Sequence, residues 1–389
     1  MSLEITDFFP EQGHIQRLHC DACKGHLDLV FSDFHELVTG VDIEIKGLPM
    51  LYCGSCEKSL FPDDSKFAVI NLHEQAFKKS SNKVTVTRNK TNQDFGFGVV
   101  PFIYDSDDYK YIPGLKRPWD EGFLTPVFFN REVLLKYDSS PTYRLSFAST
   151  TYGKIRRGDD FSMPFGINKN GKVVMWLGDI ARLPDAEQYY LRSENIASDH
   201  SIGSEFYDGQ IECIFTDLSK EDALFKSRST FLEACFNKFG IKIAHLDSEV
   251  FDLSVSFNTP VVDTEKERRH VADTLNKIYL ESFDKEALGD VISQLGGDPK
   301  KLGSIKLLQK TIELSCSGED IPTLMSPFYI LYDLRVVYSH IGSKQSEQEK
   351  LDFVISRLGL GANSGLMEIY PSLVEKMREP YERLTELLK

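Results

Sequence analysis

The sequence predicts a multidomain α+β protein with a small cysteine-rich N-terminal module, a β-rich middle domain and an all-α C-terminal bundle. Three observations predict this organisation: two C-x-x-C pairs near the N-terminus, apolar residues that alternate with period two in the middle, and helical periodicity with capping residues toward the C-terminus. At 389 residues the chain is too long for one ordinary core. The predicted domain ranges are 1–66, 67–258 and 259–389.

Composition and charge limit the function classes. With 41% hydrophobic and 12% aromatic residues the chain is typical of folded proteins, and its net charge of −14 argues against a protein that coats DNA. Two short basic runs, 78–90 and 154–157, are interpreted as solvated loops. No apolar run approaches the roughly 18–20 residues of a membrane span. The N-terminus also lacks a basic segment followed by an apolar one, so we expect a cytoplasmic protein without a membrane segment.

Four of the seven cysteines form two pairs, Cys20-Asp-Ala-Cys23 and Cys53-Gly-Ser-Cys56, with 29 residues between them. Each C-x-x-C knuckle presents two thiolates to one ion, and two knuckles complete a closed tetrahedral site. In a cytosolic protein this pattern indicates Zn²⁺ rather than disulfides, and a closed site indicates a structural role. His19 and His26 flank the first knuckle and are either substitute ligands or surface histidines; we favour the second interpretation.

The segment from Ile45 to Leu60, with Gly47 in a turn before Cys53-Gly-Ser-Cys56-Glu57, resembles the second half of YgiT/MqsA-type zinc domains. This resemblance covers about residues 17–61 and implies a zinc ribbon that often contacts a protein partner. No helix-turn-helix follows the knuckles, so the DNA binding of the antitoxin members of that family is not implied.

The middle of the chain carries strand patterns and two helices. We predict strands at 83–87 and 142–147, a hairpin joining 162–167 to 172–177 through Asn168-Lys-Asn-Gly171, and helices at 184–194 and 220–239. Trp176 is predicted to anchor the core. Asp159-Asp160 is either a metal site or a solvated turn, and the turn is favoured. No ligand is evident, so we interpret this domain as a sensing or scaffold module.

The C-terminal part has a continuous helical pattern. Thr264 followed by Glu267 is a capping box that begins a helix to about 282, and Asp284 caps the next helix, to about 295. Further helices are predicted at about 299–315, 322–341, 345–358 and 366–388. Short loops containing Gly or Pro join them, so we predict an up-and-down helical bundle.

Within that bundle, the stretch from Phe328 to His340 contains two polar residues that packing does not need. Ile330, Leu334, Val337 and Ile341 recur at three- and four-residue steps and form the predicted buried face. Arg335 and His340 lie in the same run. An Arg and a His five residues apart near a helix C-terminus are therefore candidate site residues.

An Arg-x₄-His motif late in a C-terminal all-α domain resembles the HEPN superfamily, whose nuclease members carry such a motif. The stretch from Leu331 to Gly342 is similar to the corresponding segment of ApeA-like abortive-infection proteins. The resemblance covers about residues 263–389. It implies a homodimer through the C-terminal helices, in which two Arg335/His340 pairs line one cleft.

The chemistry implied by this resemblance is metal-independent RNA cleavage. His340 can serve as general base or acid at neutral pH, and Arg335 can clamp the scissile phosphate. Asp333 lies seven residues before His340 and therefore shares its helix face, where it either orients the imidazole or caps the surface.

These observations lead to two hypotheses. The first is a conditionally active ribonuclease of bacterial antiphage or toxin defence, restrained by the zinc and middle domains and triggered by a phage or cellular protein. The alternative is a non-catalytic HEPN interaction protein, antitoxin-like or partner-binding. It is motivated by Val336, because catalytic members usually have a polar residue directly after the Arg.

Overall fold

The structure is a computed structural model that describes residues 3–10, 13, 15–158, 161–214, 218–257, 259–299, 301–316, 319–339 and 344–389. The chain forms two compact units, Met1–Asp217 and Leu218–Lys389, and each is described by itself. The first contains both sheets and the second is helical, which confirms the α+β class. No described helix is long and apolar enough to cross a membrane.

The first unit begins with a four-stranded sheet made of β1 (Asp28–Val38), β2 (Val41–Tyr52), β3 (Ser59–Leu60) and β4 (Lys83–Thr87). Strands β1 and β2 form a hairpin whose two-residue turn, Thr39-Gly40, has positive φ at both positions, as the right-handed strand twist favours. Strand β3 pairs with the end of β2, and β4 pairs with its beginning in parallel. Helix α1 (Asp63–Lys78) covers one face and buries Val69 and Ala76.

A six-stranded antiparallel sheet makes up the rest of the first unit, in the order β10-β5-β9-β8-β7-β6. Its strands are β5 (Pro126–Phe129), β6 (Arg144–Phe147), β7 (Tyr152–Arg157), β8 (Phe161–Ile167), β9 (Val173–Trp176) and β10 (Asn195–Ile196). The helices around it are α2 (Ser106–Tyr111), α3 (Leu135–Ser139), α4 (Leu177–Ala181), α5 (Asp185–Ser193) and α6 (Glu205–Tyr207). Helix α6 continues into a π-helical turn, Asp208–Glu212, and 3-10 turns cover Ile5–Phe8 and Arg131–Leu134.

The predicted hairpin between β8 and β9 is confirmed, but its turn differs from the expected one. Asn168 Oδ1 accepts hydrogen bonds from the backbone amides of Asn170 and Lys172, and positive φ occurs at Gly171 and not at Asn170. The side chain of Asn168 thus organises a longer loop in place of a two-residue turn. Trp176 is 1% exposed and stacks on Phe206, which confirms it as a core anchor.

The cysteine knuckles and the larger sheet share one hydrophobic core. Cys20 and Cys53 are buried in the same cluster as Phe128 and Trp176 of the six-stranded sheet. The compact units therefore do not coincide with the predicted ranges 1–66, 67–258 and 259–389. The helix at 220–239, which the sequence analysis assigns to the middle domain, belongs to the second unit.

The second unit is built from helices around one apolar core. They are α7 (Lys220–Phe239), α8 (Asp247–Ser256), α9 (Glu265–Asn276), α10 (Lys285–Gln294), α11 (Ser304–Ser315), α12 (Ile321–Leu324), α13 (Ser326–Ser339), α14 (Lys344–Leu358) and α15 (Leu366–Leu388). A π-helical turn, Lys277–Glu281, extends α9. The predicted caps are confirmed: Thr264 accepts a hydrogen bond from the amide of Glu267, and Asp284 accepts from Glu286 and Ala287.

Two predicted helices have different bounds in the structure. The helix predicted at 299–315 begins only at Ser304, after Gly303. The helix predicted at 322–341 is divided at Met325 into α12 and α13. Helix α13 packs against α9, α14 and α15, and it buries Phe328, Ile330, Leu331 and Leu334.

Candidate functional site

The two cysteine knuckles have the same backbone conformation. In the first, the Lys24 amide donates to the carbonyl of Cys20, and in the second the Glu57 amide donates to that of Cys53. Lys24 and Glu57 both have positive φ, near 60°. In addition, the amides of Cys20 and Cys53 donate across each loop, to Gly25 and Lys58 respectively. The second knuckle is thus a structural repeat of the first.

This repeat brings four sulfur atoms together. Cys20 Sγ lies 3.5 Å from Cys56 Sγ, and Cys23 Sγ lies 3.3 Å from Cys53 Sγ. All four sulfurs lie within 4.8 Å of one another. A tetrahedral ion with metal–sulfur bonds of about 2.3 Å places its ligands about 3.8 Å apart, so four thiolates at these distances fit one metal ion.

The electrostatics of the cluster also favour a cation. The backbone amide of Cys56 donates to the Cys53 sulfur and lowers the pKa of Cys53 to about 6. The hydrogen bond with Cys20 raises the pKa of Cys56 to about 12, because a proton is held between two adjacent sulfurs. A metal ion replaces such protons and removes the repulsion between thiolates. Four protein ligands complete its coordination, so the site is closed.

His19 and His26 are not ligands of this cluster and are not simple surface histidines either. Their rings turn toward Asp208 and Glu212 from the π-helical turn. Asp159-Asp160, the other metal candidate in the sequence, lies outside the described residues.

In the second unit, Arg335 of α13 faces two carboxylates. Its Nε lies 3.5 Å from Asp273 Oδ1 of α9, and one terminal nitrogen lies 3.4 Å from Glu281 Oε1. Ser339, one helical turn later, donates a 2.7 Å hydrogen bond to the same Asp273 oxygen. The Arg335 side chain is 31% exposed. Asp273 and Glu281 therefore pair with the guanidinium through its charge, since Arg335 Nε makes no hydrogen bond to the described residues, and solvent still reaches the side chain.

Asp333 lies on the other side of α13. Arg357 Nη1 of α14 donates a 3.1 Å hydrogen bond to Asp333 Oδ2, and the same guanidinium bonds Ser326. Partial burial raises the pKa of Asp333 above its ordinary value. Residues two apart are separated by about 200° on a helix, so Asp333 and Arg335 have different neighbours. His340, the third predicted site residue, lies outside the described residues.

An open cleft of about 680 Å³ borders the carboxylate partner of Arg335. Its lining includes two carboxylates, Glu265 and Asp273, and three cationic side chains, Lys266, Arg269 and Lys277; of these, Arg269 donates a 3.0 Å hydrogen bond to Glu265. Exposed His270 lies among them. In a chain with a net charge of −14, the cations of this lining outnumber its carboxylates by one, next to the candidate arginine.

The sequence analysis did not identify Asp273 or Glu281. They lie 62 and 54 residues before Arg335, and no local pattern marks either one as its partner. The available signal was limited to acidic residues on a helix predicted to belong to the same bundle.

No family model, no curated protein and no solved structure matches this chain.

Proposed function

We propose that the second unit is a metal-independent endoribonuclease of the HEPN type. In this proposal Arg335 binds the scissile phosphate and His340 transfers the proton. The observation that carries the proposal is the position of Arg335: it forms ion pairs with Asp273 and Glu281 beside a cleft whose lining includes three cationic side chains. The Arg-x₄-His motif supports it from the sequence side.

The proposed reaction is an attack of the ribose 2′-oxygen on the adjacent phosphorus. A base takes the 2′-hydroxyl proton, the P–O5′ bond breaks, and the leaving 5′-oxygen takes up a proton. The products are a 2′,3′-cyclic phosphate and a 5′-hydroxyl. Arg335 stabilises the negative charge that develops on the phosphorane, and His340 supplies the titrating group. Lys266 and Lys277 would contact flanking phosphates along α9.

The dimer implied by the HEPN resemblance is part of this proposal. Residues 335 and 340 differ by about 140° on an ideal helix, so one pair does not converge on one phosphate without a long side chain or a second subunit. In a homodimer, Arg335 of one copy and His340 of the other would act on the same phosphate. The first unit, with a structural Zn²⁺ at the four cysteines, would restrain the nuclease in the cytoplasm of a bacterium until a phage or cellular protein triggers it.

A second candidate function is a non-catalytic interaction module, and one observation favours it. Arg335 already has two carboxylate partners, which compete with an incoming phosphate for its guanidinium. These two carboxylate partners, together with Val336 in place of a polar residue, indicate that Arg335 stabilises the packing of the helices.

The deciding experiment is an RNA cleavage assay of the full chain in which EDTA is present for a brief incubation. The zinc content of the protein is measured afterwards to verify that the structural metal is retained. We expect cleavage products with cyclic phosphate ends, lost in His340→Ala and in Arg335→Ala. Matched controls are His245→Ala and Arg378→Ala, which change exposed residues of the same unit. Cleavage that persists in His340→Ala would contradict the nuclease assignment.

If the wild-type protein does not cleave RNA in this assay, it is examined in cells. Overexpression that is toxic for the wild type and harmless for Arg335→Ala supports the nuclease. If the wild type remains harmless during phage infection as well, which supplies the proposed trigger, the interaction module is favoured.

A further inference from the structure

Two histidines and two carboxylates of the first unit meet beside the first cysteine knuckle. His19 and His26 lie on either side of the knuckle and pair through an isolated antiparallel bridge, which sets their ring centroids 4.5 Å apart. Asp208 and Glu212 are the first and last residues of the π-helical turn. Single π-helical turns occur frequently at functional sites.

The polar atoms of these four residues are close enough to share an ion. Asp208 Oδ1 lies 3.0 Å from His26 Nε2 and 3.4 Å from His19 Nε2. Glu212 Oε2 lies 3.0 Å from His19 Nδ1, and its other oxygen accepts from the amide of Leu18. The ligand atoms of His19, His26 and Asp208 all lie within 4.8 Å of one another. The two carboxylate side chains are only 11% and 6% exposed.

The hydrogen bond to Glu212 determines what His19 presents to Asp208. When Nδ1–H of His19 donates to Glu212, the neutral ring has its lone pair on Nε2, which faces an Asp208 oxygen. Two acceptors in this position repel each other unless a positive species lies between them. A carboxylate that accepts from the far nitrogen of a histidine is also the usual way in which metal-binding imidazoles are oriented.

The backbone also restricts His26. A Cβ atom at Gly203 would lie 2.3 Å from the Cβ of His26, so only glycine allows the chain to pass so close to this histidine. His26 is thereby held against residue 203 with Nε2 directed at Asp208. Rotation of its ring away from the cluster is hindered on that side.

We propose that His19 Nε2, His26 Nε2 and the Asp208 carboxylate bind a second divalent metal ion, and that Glu212 orients His19. Mixed imidazole and carboxylate ligands suit first-row transition ions such as Zn²⁺, whereas Mg²⁺ and Ca²⁺ prefer oxygen ligands alone. Three protein ligands leave one coordination position for a water molecule or a small anion. His19 also lines a cleft of about 980 Å³.

The first unit would then hold two metals at the first knuckle, a closed thiolate site completed by the second knuckle and an open nitrogen–oxygen site completed by the π-helical turn. This inference is independent of the proposed ribonuclease activity, because all four residues belong to the first unit.

The test uses the full chain and measures its metal content. After saturation with Zn²⁺ and desalting, we expect two zinc equivalents per wild-type chain and one in Asp208→Asn or His26→Gln. The matched control is Asp42→Asn, since Asp42 accepts a 2.8 Å hydrogen bond from His35 and pairs with Lys83, outside the proposed site. This control should retain two equivalents.

Substitution with Co²⁺ separates the two sites spectroscopically. The cysteine site gives intense thiolate-to-cobalt charge-transfer absorption, which should remain in Asp208→Asn and show that the knuckles are folded. The second equivalent should add only weak bands, and these should be lost in the variant.

Two outcomes would overturn the proposal. One is a single zinc equivalent in the wild type, as expected if the histidines are merely ion-paired; the other is a second equivalent that survives both substitutions. If Asp208→Asn and His26→Gln lose the charge-transfer band, Glu212→Gln decides. A second-site affinity lower by about 10–100-fold in a chelator competition supports the proposal, and an unchanged affinity contradicts it.

Discussion

The two units place their charged groups differently. Among the described residues, all five buried carboxylates belong to the first unit: Asp105, Asp107, Asp108, Glu187 and Asp208. In the second unit the core cluster is apolar, Arg228 is the buried charged side chain among the described residues, and Arg335 with its two partners is partly exposed. Changes to polar residues therefore test different properties: stability in the first unit, and function with little loss of stability in the second.

The largest effect on stability is expected from the substitution of a knuckle cysteine. We expect Cys53→Ser to lose the metal and to unfold the first unit while the second unit still unfolds at its own temperature. Structural zinc in zinc-finger peptides binds with about 10–16 kcal/mol, as large as the whole stability of a typical domain. Zinc analysis and calorimetry measure both effects, with Cys316→Ser as the control. A Cys53→Ser chain that keeps its zinc and both transitions would contradict the closed site.

The second-largest effect is expected from a core substitution in the second unit, which tests whether apolar packing dominates the stability of that unit. Leu334 is 0% exposed in its core, so Leu334→Ala should lower the free energy of unfolding of that unit by about 2–5 kcal/mol. Chemical denaturation followed by circular dichroism measures this value. Leu314→Ala, at a position that is 37% exposed, should cost markedly less. Equal losses in the two variants would mean that α13 is not central to the core.

The third prediction concerns the pH dependence of the first unit. Burial lowers the pKa of His200, but the hydrogen bond and charge of Asp108 outweigh it, so this pKa lies above its ordinary value of 6.5. Asp108 Oδ1 is 2.6 Å from His200 Nδ1, Asp105 is 3.8 Å from Nε2, and Lys90 pairs with Asp105. The folded unit therefore binds this proton more tightly than the unfolded chain.

The stabilisation that protonated His200 gives the first unit is complete below pH 6.5, the ordinary pKa of histidine. It is lost as the pH rises through the pKa of His200 in the folded unit. Thermal unfolding of the first unit between pH 6 and 8 should show this loss in the wild type and a flatter profile in His200→Gln. Identical profiles would show that the pair does not contribute.

The smallest expected effect on stability belongs to Arg335→Ala. Partly exposed ion pairs contribute about 0–1 kcal/mol, so we expect a change of that size in the unfolding free energy together with complete loss of RNA cleavage. Arg335→Lys keeps the charge but not the bidentate geometry and should recover only part of the activity. A destabilisation comparable to that of Leu334→Ala would instead indicate a structural arginine and favour the interaction module.

Local features of the fold were predictable from the sequence. The strand Lys83–Thr87, the helix Lys220–Phe239 and the Thr264 cap depend on neighbouring residues, and the structure has them at the predicted positions. The cysteine spacing likewise predicted which four sulfurs meet. In each case a short-range pattern determines the geometry.

Contacts between distant residues were not predictable. The basic run at 78–90 was interpreted as a solvated loop, yet Arg88 pairs with Asp107 and Lys90 with Asp105. Similarly, His19 meets Asp208, 189 positions further along the chain. The sequence shows which charged side chains need a partner of opposite charge, whereas the tertiary fold determines which side chain becomes that partner.

The shared core of the knuckles and the larger sheet has a consequence for biosynthesis. All four cysteines of the candidate metal site have been synthesised when residue 56 is added, but aromatic residues of the same core cluster come later, and Trp176 follows after another 120 residues. At about 5–20 residues per second, a ribosome needs roughly 6–24 s to cover this distance. A metal ion that binds the four cysteines during synthesis would therefore be held before this core is complete.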